Sequence, residues 1–298
     1  MQQRSGSTLK GLFTISLLTV NVIAWCLVLF TVALLKFVVP IPAWRKWTSR
    51  AMTALAEGWI GTNNALFRAM GALPLDTRGF EGLSTRDWYL VVSNHRSWVD
   101  ILVLQAVFNR RIPFLKFFLK QQLIWVPFLG VAWWALDFPF MRRYSPAYLE
   151  KHPEHRGKDL EVTRRACGKF RVIPTSVMNF VEGTRYTSQK HAALDSPYRN
   201  LLPPRPGGVS FVLSAMGGTL HSMLDVTIVY TSGTPSLWDL CCGRVSTVIV
   251  DLRRRAIEAW IAAGDYAGDP AFRERFKTWL GGIWADKDRT LESLLGEA

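Results

Sequence analysis

Charge is scarce in this chain. Only 20% of its 298 residues are Asp, Glu, Lys or Arg, against 49% hydrophobic ones, thirteen of them Trp. That is apolar for a purely soluble protein, and much of the excess sits near the N-terminus. Negative charge is the scarcer sign: 23 acidic residues face 36 Lys and Arg, a net +13. A basic surface can meet nucleic acid, anionic lipid or a phosphorylated substrate. Zinc-finger, basic-zipper and RNA-binding motifs are all missing, so no nucleic-acid partner is expected and a membrane partner leads. Cysteine is sparse as well. Cys26, Cys167, Cys241 and Cys242 lack metal-ligand spacing, two are adjacent and one lies in an apolar run. A disulfide framework is thereby set aside, and a reducing compartment fits. With no internal repeat and no low-complexity tract, the length suits one sizeable α/β domain plus a small accessory element.

What is present begins with an uncharged run from Gly11 to Leu35, bounded by Lys10 and Lys36. As a helix it would reach about 37 Å, enough to cross a hydrocarbon core of about 30 Å with some tilt. Asn21 is its one strongly polar side chain. The run is too long for the apolar part of a cleavable signal peptide, and no small-residue cleavage site follows it. A retained membrane anchor over residues 11–39 is expected, either spanning or half-inserted. After Pro40 and Pro42, Trp44, Trp47, Ala51, Leu55 and Trp59 recur at helical spacing, with Arg45, Lys46, Ser49, Arg50, Thr53 and Glu57 on other faces. This predicts an amphipathic helix over about 42–60 with aromatic anchors at a headgroup boundary; packing on the domain is the alternative. Lys36, Arg45, Lys46 and Arg50 outweigh Arg4 and Lys10, which places the large C-terminal part on the cytoplasmic side, as in a bacterial inner membrane.

From about Pro74 strands and helices alternate. Strands are expected at Trp88–Val92, Val172–Phe180, Val226–Tyr230 and Val245–Leu252, and helices at Ser97–Phe108, Lys158–Phe170 and Val209–Met216. A helical, surface-bound tail from Pro270 should be interrupted at Gly281-Gly282. Such alternation argues for an α/β fold around a central sheet. The stretch Phe117–Met141 is too polar and too broken for a second span, carrying Lys120, Gln121, Gln122 and Asp137 with Pro127 and Gly130 inside it. It reads as a half-buried helix, turn and strand whose aromatics line a groove, touch lipid or form ordinary core.

The chemistry concentrates in two places. Asn94-His95-Arg96-Ser97-Trp98-Val99-Asp100 follows the first buried strand. A histidine in the turn, with a carboxylate at the start of the next helix, suits a general base and its orienting partner: an unperturbed imidazole titrates near 6.5, and the carboxylate fixes the tautomer. Alone, the pair reads better as a helix-entry residue beside a local ion-pair partner, because two residues at one spacing often occur by chance. Phe180-Val181-Glu182-Gly183-Thr184-Arg185 follows another expected strand, where α/β folds place ligand sites. Gly183 allows close backbone approach, and Arg185 can clamp a phosphate bidentately. Alone, this is a tight turn with a surface salt bridge. Two such motifs in order, both at strand ends, weigh against chance. His152 and His155 sit in a polar turn, so no metal is expected.

These residues carry a resemblance. The chain resembles the 1-acyl-sn-glycerol-3-phosphate acyltransferases, the lysophosphatidate acyltransferase superfamily, over roughly residues 80 to 230. Asn94 to Asp100 matches the NHxxxxD motif, Phe180 to Arg185 the FPEGTR motif, and Lys120-Gln121-Gln122-Leu123 with Pro127 and Gly130 the KxxLxxxPxxG block. The resemblance implies an α/β fold with a central mixed sheet flanked by helices, in residues 73–298, with a helical tail from about 253. Residues 1–72 would be the membrane-anchoring helix pair. It further implies that His95 and Asp100 do the chemistry and that Lys120 and Arg185 hold the acceptor's phosphate. Glu182 would help position the glycerol, and Gly183 and Thr184 would belong to the same substrate-binding set. Arg205, in the loop Pro203 to Gly208, stands where the family often has a basic residue before glycine. Val181 departs from the usual proline, and the strand Leu224–Ile228 lacks a late proline. The tail Trp284-Ala285-Asp286-Lys287-Asp288 looks like the ending of a branch that includes enzymes of other lysophospholipids. No G-x-S-x-G elbow suggests a covalent acyl-serine, so the donor should be an activated thioester, acyl-CoA or acyl-carrier protein, with no cofactor. The acceptor would be a lysophospholipid. Two alternatives go with this: remodelling of a lysophospholipid with a larger headgroup, and a non-catalytic membrane scaffold of the same fold.

Overall fold

The computed structural model describes residues 2–297 apart from 142–147, 149–150, 153–160, 162–163, 166, 169, 171–172 and 267. Two long helices come first, α1 (Gln2–Val38) and α2 (Pro42–Ala69). Their separation is dictated locally. Ile41 precedes a proline and is held extended at φ −82°, ψ 125°, and Pro42 then opens α2 at a position where no amide donor is required. The two helices fold back on each other. Asn21 donates to the Asn63 carboxamide oxygen at 2.8 Å, Trp25 Nε1 to Thr62 Oγ1 at 3.2 Å, and Trp44 Nε1 to the Leu35 carbonyl at 3.0 Å. The stripe that α2 buries is Thr48, Met52, Ala56, Ile60, Asn63 and Phe67, a repeat of about four that packs on α1 and the domain. One expectation is corrected here: the helix continues to Ala69. The buried stripe is not the Trp-bearing one, and Trp47 is 59% exposed.

The domain follows as β1 (Leu75–Arg78), β2 (Tyr89–Ser93), α3 (Val99–Phe108), β3 (Leu115–Phe117), β4 (Leu119–Lys120), α4 (Leu129–Ala135) and β5 (Phe140–Met141). After these come β6 (Ser176–Phe180), α5 (Ser188–Ala193), α6 (Pro206–Met216), β7 (Ser222–Tyr230), α7 (Leu237–Cys241), β8 (Val248–Ala256), α8 (Ala259–Ala263) and α9 (Pro270–Gly296). Six strands form one mixed sheet in the order β1-β8-β7-β2-β6-β3; β7 and β8 are antiparallel, the other neighbours parallel. β2 is central and wholly buried. Alternation along it feeds two cores. Tyr89 and Val91 face the α1–α3 side, while Leu90 and Val92 face α6 and α9. β6 is shorter than expected, because Ile173–Thr175 are irregular and the strand starts at Ser176 (Val172 lies outside the described residues), and β7 begins earlier, at Ser222. Of the helix expected at Lys158–Phe170, residues 161, 164, 165, 167, 168 and 170 are described and helical.

The segment between β4 and β5 explains the KxxLxxxPxxG spacing. A 3-10 turn, Gln121–Trp125, leads through Pro127 into α4, and a side chain at Gly130 would collide with the Ile124 carbonyl.

The tail differs most from expectation. α9 runs unbroken through Gly281-Gly282 and is not surface-bound. It buries Phe276, Leu280, Ile283, Trp284, Lys287, Thr290, Leu291 and Leu294. Each interior glycine costs about 1 kcal/mol relative to alanine, whereas each large apolar side chain buried contributes about 1.5–3 kcal/mol. Packing therefore wins. Asp269 starts the helix by accepting from the Ala271 and Phe272 amides.

Candidate active site

The register of the sheet creates the site. Ser93 ends β2 opposite Phe180, the end of β6, so the loops carrying the two motifs leave the sheet side by side. Asn94 fixes the first loop by pairing with both backbone groups of Ile228 on β7, at 2.9 Å each. This use of Asn94 is structural and was missed from sequence, because Ile228 is 134 residues away.

His95 is held on every side. Its amide donates to Glu182 Oε1 at 2.8 Å, and its carbonyl accepts from the Tyr186 amide at 2.8 Å. Its ring stacks on Phe180, with centroids 3.9 Å apart and planes 14° apart. Nδ1 lies 2.8 Å from Asp100 Oδ2. A proton on Nδ1, donated to the carboxylate, leaves the Nε2 lone pair free to take a proton. Asp100 is fully buried, yet none of its capacity is wasted. Oδ2 also accepts from the Arg96 and Ser97 amides, at 2.6 and 2.9 Å, and Oδ1 accepts from the Tyr230 hydroxyl at 2.5 Å. Tyr230 was not anticipated as a site residue; it ends an expected strand, and nothing in that strand marks its hydroxyl. Burial, with Asp100 beside it, drives the Tyr230 hydroxyl far above the ordinary phenol range, so it stays a donor.

Glu182 is 1% exposed, and both its oxygens accept backbone amides: His95 at one, Leu202 at the other at 3.0 Å. Burial pushes its carboxyl up to about 7, although the two amides and the Arg96 charge pull the other way. Its place is that of a strut between loops. Gly183 has φ +70°, and a side chain there would meet Arg205 Cδ at 2.9 Å, so glycine permits both the turn and the approach. The Arg205 amide donates to the Val181 carbonyl at 2.7 Å, so the segment before α6 is tied to the turn without the family's usual proline. Thr184 Oγ1 accepts from Lys190 Nζ at 2.7 Å. Arg185 is exposed, its guanidinium 4.8 Å from the centroid of the Trp98 ring in the histidine loop.

His95, Asp100, Glu182, Gly183, Thr184, Arg185 and Arg205 are thus gathered around two adjacent loops. Lys120 stands apart from them. It is exposed on β4, and among the described residues no hydrogen bond or ion pair joins it to either loop. The nearest tie runs through aromatic rings, Phe117 on β3 lying 6.2 Å from Phe180. His152 lies 4.4 Å from Tyr148, ring to ring, and His155 is outside the described residues.

A family model described as Acyltransferase matches residues 74–231, more than half of the chain. The chain belongs to the Acyltransferase family. Both loops and every strand from β1 to β7 of this acyltransferase-family chain lie within the match. Its relatives include mouse 1-acyl-sn-glycerol-3-phosphate acyltransferase gamma, 26% identical over 261 residues, covering 84% of this chain and 62% of the relative. Another is the 2-acyl-1-lysophosphatidylinositol acyltransferase of Saccharomyces cerevisiae, 29% identical over 129 residues, 40% of this chain and 32% of the relative. The chain therefore spans about three fifths of the mouse protein's length. In three dimensions it is similar to the crystal structure of the 1-acyl-sn-glycerophosphate acyltransferase of Thermotoga maritima. The TM-score is 0.58 at 16% identity, over 98% of this chain and 97% of that one, a likeness of fold.

Proposed function

We propose that this chain transfers a fatty acyl group from a thioester donor, acyl-CoA or acyl-carrier protein, to the free hydroxyl of lysophosphatidate, giving phosphatidate. The observation that carries the reading is the His95 Nδ1–Asp100 Oδ2 pair at 2.8 Å, with Asp100 buried and His95 partly open. His95 Nε2 takes the hydroxyl proton as the oxygen attacks the thioester carbon. Asp100 stabilises the imidazolium that forms, the C–S bond breaks, and the imidazolium returns the proton to the departing thiolate. No acyl-enzyme forms. Arg185, with Arg205 beside the same turn and Lys120 beyond it, supplies positive charge for the acceptor's phosphate.

The acceptor lives in a bilayer, and the N-terminal helices fit that setting. Ser7–Val38 is long and apolar enough to cross a membrane, with mean hydropathy 2.4 in its most apolar window. Yet α1 touches the domain near both ends. A side chain at Gly11 would collide with Cys242 and Trp238 around α7, and Lys36 pairs with Asp137 at 3.5 Å just after α4. Those points are about 37 Å apart along the helix. The helix therefore lies along the domain, which favours insertion into one leaflet over a crossing.

The test is acyl transfer in membranes lacking endogenous activity, with lysophosphatidate and larger-headgroup lysophospholipids offered in parallel. His95→Ala should lower turnover by about two to four orders of magnitude with the fold retained. Turnover like the wild type's would remove His95 as the base. Product mainly from a larger-headgroup acceptor, such as the yeast relative's name describes, would shift the assignment to remodelling.

A further inference from the structure

Four large apolar side chains between β4 and β5 face away from the protein. Trp125 is 85% exposed, Phe128 41%, Val131 52% and Trp134 60%. Trp125 ends the 3-10 turn, Phe128 stands at the start of α4, and Val131 and Trp134 lie about one turn apart on it, so one short stretch of chain carries all four as an exposed stripe. Each forgoes about 1.5–3 kcal/mol available from burial, and exposed apolar residues clustered in this way mark an interaction surface. The backbone supports the display: Phe128 holds φ +60°, a conformation that bulky residues rarely adopt. Exposure of this degree is the opposite of what lining an internal groove would give.

The stripe is continuous with the N-terminal helices. α1 packs on α4, and Lys36–Asp137 pins the end of α1 beside it. That end and the link to α2 expose Phe37 (76%), Val38 (65%), Ile41 (57%) and Trp47 (59%). Arg45, Lys46 and Arg50 are exposed on the same turns of α2, where cations meet anionic headgroups. Aromatic residues bordered by cations are the chemistry of a membrane interface.

We propose that Trp125, Phe128, Val131 and Trp134 form a second membrane-contacting surface, seated at the headgroup–acyl boundary of an anionic phospholipid bilayer in the same leaflet as α1. The assignment rests on the membrane reading of α1. Its consequence concerns approach of substrate. β3 and β4 lead directly into the stripe, so the Phe117–Phe180–His95 ring series and Lys120 lie beside the bilayer face, and a lipid acceptor reaches them without leaving it.

The four native cysteines are buried, so a nitroxide can be attached selectively to Trp125→Cys or Trp134→Cys in the full chain. Leu34→Cys on α1 and Thr85→Cys, on the loop before β2, serve as reference positions. Proteins bound to phosphatidylcholine–phosphatidylglycerol vesicles would be compared for relaxation by oxygen and by a water-soluble nickel chelate. Labels at 125 and 134 should prefer oxygen, as at 34, while the label at 85 prefers nickel. Labels at 125 and 134 that prefer nickel while 34 prefers oxygen would overturn the second surface and leave the anchor intact. Nickel preference at 34 as well would bring down the membrane reading itself. Spin–spin broadening at 125 that grows with protein density would assign the stripe to a second copy of the chain and equally overturn the proposal. As an independent measure, Trp125→Glu combined with Trp134→Glu should reduce vesicle binding about tenfold or more; unchanged binding would count against it.

Discussion

Asp100 accepts from four donors, and only one of them, His95, is the base we propose. The others fix how much of its charge the imidazole feels. Tyr230→Phe removes one donor and leaves a buried carboxylate oxygen unpartnered, a loss of about 1–3 kcal/mol. The carboxylate charge is then less dispersed and favours the imidazolium more strongly. Turnover should fall by about tenfold or less, and the acid limb of the pH–rate profile should move to higher pH. A profile superimposable on the wild type's would reduce Tyr230 to packing. Glu182 makes a second, thermodynamic prediction. Its folded pKa of about 7 stands above the ordinary 4.5, so the folded chain binds more protons between these values. Its contribution to stability is complete below pH 4.5 and is lost as pH rises to about 7. The shift corresponds to roughly 3 kcal/mol at most. Glu182→Gln should flatten that part of the stability–pH curve in detergent-phase unfolding, and a slope that survives would place the titration elsewhere. At this scale the contact between His95 and Asp100 is legible in the sequence, because the two are close in the chain. It does not reveal Tyr230 or Asn94, whose partners lie 130 and 134 residues away. Glu182 was legible as a site residue by its motif, but that its oxygens serve the backbone shows only in three dimensions.

Among the elements, α9 does the most that its sequence did not announce. Read alone, its glycine pair suggested a broken, surface-bound helix. Its partners come from distant segments. Trp284 Nε1 donates to the Leu202 carbonyl at 2.9 Å, and Asp288 accepts the Arg199 and Asn200 amides at 2.7 and 2.8 Å. The same 199–202 loop offers the Leu202 amide to Glu182 and the Asn200 carbonyl to Arg96. Wholly buried Lys287 pairs with Asp225 on β7 and donates to the Val226 carbonyl; burial pulls its pKa down against the pull of Asp225. The helix therefore braces both the loop behind His95 and the strand that carries Tyr230. Asp288→Ala releases two loop amides while leaving the reacting groups untouched. Turnover should fall about tenfold through misplacement, with KM nearly unchanged and Asp288→Asn restoring part of it. A loss confined to thermal stability would make the helix a support for the fold alone. Strands β2, β6, β7 and β8 and helices α3 and α6 were readable because alternation and apolar runs are local, whereas β3 and the short helices α5 and α7 were not. Boundaries shifted where tertiary pairing extends an element, as where β8 continues to Ala256 beside β7.

For the molecule as a whole, the decisive relation is between the apolar helix and the domain, which hydropathy cannot supply. A run from Gly11 to Lys36 has the length of a bilayer core, and by length alone a crossing is the simplest reading. A crossing helix carries its two ends to opposite faces. Here Gly11 meets Trp238 and Cys242, while Lys36 meets Asp137, all on one α/β domain. Either that domain, which carries 29 Lys and Arg and 22 Asp and Glu from residue 73 onward, would have to reach through the bilayer, or both ends of α1 stay on the domain's side. Burying even a few of those charges in hydrocarbon would cost several kcal/mol each, so the second arrangement is the one we propose. Leu9→Cys and Arg45→Cys, at exposed positions near either end of α1, should both react with a membrane-impermeant thiol reagent added to the face that bears the domain. Neither should react from the opposite face. Reaction of the two from opposite faces would establish a crossing, and would require the α1–α7 contact to open when the chain meets a membrane.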